Sequence, residues 1–66
     1  MKPSYNRVKA LMDEKGIRPA ELARETGMKS ASTLTDWKNG KSAPKTDKLI
    51  MIAQYFKVPV ESLMEE

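Results

Sequence analysis

The stretch Ser32-Thr33-Leu34-Thr35-Asp36-Trp37-Lys38-Asn39-Gly40-Lys41 decides how this chain is read. Turned by about 100° per residue, it places Leu34 and Trp37 on one side of a helix and Ser32, Thr35, Asp36 and Asn39 on the other, with Ala31 at the edge. The apolar side is the buried one. The opposite side carries short polar residues where an exposed helix ordinarily carries long Glu, Lys or Arg. Short side chains let a helix come close to a surface, and such a helix fits a duplex major groove roughly 12 Å wide. The same residues fit equally well a helix that is merely polar, or one whose Ser and Thr gather at its start for capping.

Ser30 is suited to cap this helix, which is predicted over residues 31–39 with Gly40 as its left-handed stop. Upstream, Ser4 caps a helix over residues 5–15 in which Tyr5, Val8, Leu11 and Met12 recur at helical spacing. Gly16 closes it, and Ile17 folds back on Met12. Pro19 suits the first turn of a second helix that buries Leu22 and Ala23 and ends at Gly27. This helix is too short to persist without neighbours. Lys41, Ser42, Ala43 and Pro44 read as a loop before a fourth helix that starts near Thr46 and stops near Lys57. Leu49, Ile52, Ala53 and Phe56 form its stripe, and Asp47 suits its positive end. After Val58 and Pro59, residues Val60, Leu63 and Met64 suggest a last short helix. The predicted fold is all-α, a single domain of five helices over residues 1–66.

At 66 residues the chain supports one core. It has no cysteine for a disulfide or thiol nucleophile and no histidine for metal or proton transfer, so no metal site and no cofactor is expected. Asp13 with Glu14, Glu21 with Glu25, and Glu61 with Glu65 and Glu66 are read as solvated helix faces, because no glycine-rich phosphate loop or nucleophile accompanies them. An enzyme is not expected. No apolar run approaches the roughly 20 residues that cross a bilayer, and the first twenty residues lack a secretory apolar core. A cytoplasmic location is expected. The net charge of +3 resides entirely in residues 27–45, where Lys29, Lys38, Lys41 and Lys45 face Asp36 alone. Clustered lysines attract polyanions, although a dilute run of this kind also serves as a solvated surface.

The arrangement of a short helix, a glycine-containing turn, a second short helix and Asn39-Gly40-Lys41 resembles the helix-turn-helix of phage repressor and Cro-type regulators of bacteria and phages. Glu21-Leu22-Ala23, Gly27, the run from Ser32 to Lys41, Pro44, the stripe of the fourth helix, Val58 and Leu63 carry the likeness over nearly the whole chain. The resemblance implies a compact, lambda-repressor-like DNA-binding domain, acting as a transcription regulator and most often a repressor. It places base-reading positions on Ala31, Ser32, Thr35 and Asp36. Backbone contacts fall on Pro19 and Ala20, on Lys29, on the Asn39 and Gly40 amides, and on Lys41, with Lys45 more loosely placed. Two features differ from the usual family pattern. Met28-Lys29-Ser30-Ala31 makes the turn one residue longer, and the reading face is too short for bidentate readout of adenine or guanine. Weaker discriminators remain: thymine methyls against Ala31 and Thr35, hydroxyl bonds from Ser32 and Thr35, and cytosine N4 donating to Asp36.

Trp37 lies three residues after Leu34 on the apolar stripe, which makes it a packing residue rather than a base-stacking platform. Helix four carries more apolar surface than one core face needs. Met51 and Tyr55, with Val60, Leu63 and Met64, are candidates for a homodimer contact, and packing within the monomer explains them equally well. Two-fold pairing would set two reading helices about 34 Å apart on an inverted-repeat operator in double-stranded DNA. No small-molecule ligand is evident. The rival reading is a helical protein-interaction module, such as an antitoxin or adaptor, that binds through helix four.

Overall fold

The computed structural model describes residues 2–65. It contains α1 (Tyr5–Lys15), α2 (Pro19–Glu25), α3 (Ser32–Lys38) and α4 (Thr46–Phe56), followed by a 3-10 turn over Val60–Leu63. Two short strands, β1 (Lys2–Pro3) and β2 (Met64–Glu65), pair antiparallel, with Lys2 opposite Glu65 and Pro3 opposite Met64. The helices enclose one core of Val8, Met12, Leu22, Leu34, Trp37, Leu49, Ile52, Ala53, Phe56 and Leu63.

Helix ends follow the local chemistry of their sequences. The Ser4 side chain accepts from the Arg7 N–H, which occupies one of the free donors at the start of α1. Gly16 ends that helix at φ 68°, and the Ile17 N–H donates to the Met12 carbonyl at 2.9 Å. Pro19 opens α2 where its missing N–H costs nothing. Gly27 and Gly40, at φ 75° and 76°, turn the chain sharply at both ends of the segment that holds α3.

The fifth α-helix expected after Pro59 is not formed. Four residues make a single 3-10 turn, in which the Ser62 N–H donates to the Pro59 carbonyl at 3.0 Å. The Ser4 N–H then holds the Leu63 carbonyl at 2.7 Å and draws Met64 into the terminal ribbon instead of a helix. Arg7 and Glu65 add an exposed ion pair at 3.3 Å beside it. Glu66, read with Glu61 and Glu65 as part of a helix face, lies outside the described residues.

Helix three is one residue shorter at each end than the sequence suggests. The cap position falls on Ala31, whose backbone is already helical at φ −64° and ψ −16°. Ser30 still closes the entry, one position earlier. Its hydroxyl accepts from the Ser32 N–H at 3.3 Å, and its carbonyl accepts from the Thr33 N–H at 3.2 Å.

Candidate nucleic-acid interface

Leu34 and Trp37 clamp α3 to the body of the molecule, with 2% and 8% of their surfaces exposed. The Trp37 ring meets Tyr5 of α1 edge to face, with centroids 5.6 Å apart and planes at 81°. This settles Trp37 as a packing residue. With that side fixed, Ser32 and Thr35 are exposed on the outer side, and Ala31, Thr33 and Asp36 are partly exposed. Thr33 joins this surface without having been singled out by the helical pattern.

The four proposed reading positions differ in what they still have to offer. Thr35 has no side-chain hydrogen bond among the described residues, so both its methyl and its hydroxyl are open. The Ser32 hydroxyl bonds that of Ser30, and any base must share it. Asp36 makes no ion pair among the described residues, neither with Lys38 nor with Lys41. Ala31 offers only its methyl, at the point where the chain enters the helix.

Around this face stand Pro19 and Ala20 at the start of α2 and Lys29, Lys38, Asn39, Gly40, Lys41 and Lys45, all exposed. The ion pairs among the described residues are Arg7 with Glu65, Lys9 with Asp13 and Arg24 with Glu25, so these four lysines keep their charge available to an anion. The backbone amides at the end of α3 are another matter. Asn39 N–H donates to the Thr35 carbonyl, Gly40 N–H to Trp37 at 3.1 Å and Lys41 N–H to Asp36 at 2.8 Å. The left-handed stop at Gly40 turns these donors back onto the helix, so the Asn39 and Gly40 amides, expected to meet phosphates, already have backbone partners. The Asn39 side chain and the Lys41 ammonium are the donors that remain.

Three polar contacts behind the interface are not evident in the sequence, although Tyr55 itself is named above as a dimer candidate. Thr26 is wholly buried and donates its hydroxyl to the Leu22 carbonyl at 2.7 Å. Tyr55 of α4 donates to Glu21 of α2 at 3.2 Å. Lys48 donates from Nζ to the carbonyls of Thr26 and Gly27, each at 3.3 Å. The available signal was Gly27 itself, because a helix ending there leaves carbonyls in need of donors.

The proposed pairing residues separate by burial. Met51 is 38% exposed, and Tyr55, Val60 and Met64 are partly exposed. Leu63 has no exposed surface, because the 3-10 turn directs it into the core, and it is withdrawn as a contact for a second copy. Ile50, 41% exposed, is the other large apolar side chain on the outside of α4. No described helix is long and apolar enough to cross a membrane.

A sequence model of the family described as Helix-turn-helix matches residues 8–63. No curated protein and no solved structure gives a significant match.

Proposed function

Because the chain belongs to the helix-turn-helix family of phage repressor and Cro type, a family of DNA-binding domains, we propose that it is a sequence-specific transcription regulator that reads double-stranded DNA with α3. The observation that carries this reading is the clamp of Leu34 and Trp37, which leaves the short side chains of Ser32 and Thr35 outermost. Ala31 and Thr35 meet thymine methyls, the Ser32 and Thr35 hydroxyls bond base edges, and Asp36 accepts from a cytosine amine. Lys29, Lys41, Lys45 and the Asn39 side chain meet phosphates, with Pro19, Ala20 and Gly40 lying against the backbone. Sequence preference leans on DNA shape as well, since no long side chain on the reading face can make a bidentate contact.

The regulator acts as a repressor in the cytoplasm, as a homodimer on an inverted repeat that denies polymerase its site. Met51, Tyr55, Val60 and Met64 supply the pairing surface. With about three or four phosphates neutralised per copy, log K for the dimer falls with log salt at a slope of roughly −5 to −7. Titrating a labelled duplex at several salt concentrations measures this slope. A flat response contradicts the proposal.

A further inference from the structure

The connection from α2 to α3 is the longer-than-usual turn noted above, and α2 is only seven residues long. Backbone and hydroxyl donors close most of its C-terminal end. The Leu22 carbonyl takes the Thr26 N–H at 3.0 Å and the Thr26 hydroxyl at 2.7 Å, and the Ala23 carbonyl takes the Met28 N–H at 2.8 Å. The Arg24 carbonyl takes the Gly27 N–H at 3.5 Å, and further into the turn the carbonyls of Thr26 and Gly27 accept from the ammonium of Lys48 on α4. The fit is close, since a Cβ on Gly27 would stand 3.3 Å from Lys48 Nζ and 3.9 Å from Met51 Cε. Lys48 has no carboxylate partner among the described residues, so these two carbonyls are its bonds. A cation at the end of a helix also suits the negative end of the helix dipole.

We propose that Lys48 is the positioning residue of the reading helix. Its ammonium, fixed on α4, holds the lengthened turn in one conformation and so sets where α3 begins and which way Ser32 and Thr35 point. Lys48 governs base discrimination without touching DNA. This rests on the DNA-reading role proposed above.

The test compares the intact chain with Lys48→Met, which keeps the apolar stem and removes the donors, and Lys48→Arg, which keeps a positive charge and N–H donors on a longer side chain. Each is titrated with a preferred duplex and a scrambled one over a salt series, with helix content checked by circular dichroism. In Lys48→Met the ratio of the two affinities falls by about tenfold, the scale set by losing a charged hydrogen bond. The salt slope stays unchanged, and amide exchange from Gly27 to Ser32 speeds up. Lys48→Arg restores most of the ratio. A slope shallower by about one with discrimination intact makes Lys48 a phosphate contact and overturns the proposal. Lys48→Met that discriminates like the parent overturns it too. If the parent chain itself binds no duplex, the DNA-reading role falls first and this one with it.

Discussion

Lys57 ends α4 with φ at 59°, the one non-glycine residue in the left-handed region among those described. Its N–H donates to Gln54 and the following Val58 N–H to Ala53, so the turn closes as it does after glycine. A side chain in this conformation costs about 1–2 kcal/mol that glycine avoids, less the extra freedom glycine has when unfolded. Lys57→Gly is therefore expected to stabilise the fold by roughly 0.5–1 kcal/mol, measured by urea unfolding. The helix end itself was legible, because Val58 and Pro59 interrupt the apolar spacing just there. What forces an unfavourable conformation on a lysine was not legible. Gly16 and Gly40 announce such turns by residue type, whereas at Lys57 the turn is closed by its own N–H on Gln54 and the Val58 N–H on Ala53, with Val58 packed against the core.

Between elements, α4 grips α2 at two places, through Lys48 at its C-terminal end and through Tyr55 to Glu21 nearer its start. Partial burial first, then the hydrogen bond and charge of Glu21, with Glu25 adding and Arg24 opposing, raise the Tyr55 pKa above its ordinary 10.0. The folded state thus favours the neutral phenol. Its contribution is fully present below the unfolded value near pH 10 and is lost as pH rises through the higher folded value. Lys9, raised by its hydrogen bond and charge pairing with Asp13, changes stability in the same direction. Tyr55→Phe is expected to lower the thermal midpoint at neutral pH and to lose less stability than the parent chain between pH 9 and 11. A parallel loss in both proteins would show that the phenol is not coupled to folding. Neither grip could be read from the sequence, since the partners lie 34 and about 21 residues apart and meet only when the helices are placed. The boundaries of α1, α2 and α4 were legible from Ser4, Gly16, Pro19, Gly27 and the stripe of Leu49, Ile52 and Phe56. The terminal ribbon was not, because two-residue strands carry no alternation, and their pairing follows from the Ser4 to Leu63 bond.

The described residues span 26 × 25 × 20 Å. Successive major grooves on one side of a duplex are about 34 Å apart, so the proposed inverted repeat would take two copies of a molecule this size. Much of the candidate site was legible because a rigid helix makes its outer face the complement of its inner one, and Leu34 and Trp37 define the inner face. The use of the Asn39 and Gly40 amides was not, since it depends on how the helix stops. If α3 reads bases while the surrounding lysines hold the backbone, selection of bound sequences from a random duplex pool at moderate salt will separate the two roles. The parent chain is predicted to enrich a palindromic motif. Thr35→Ala should change the preferred base at one position of each half-site, and Lys41→Ala should keep the motif while weakening binding to every sequence. No enriched motif, or the same uniform loss in both variants, would mean that α3 does not read bases.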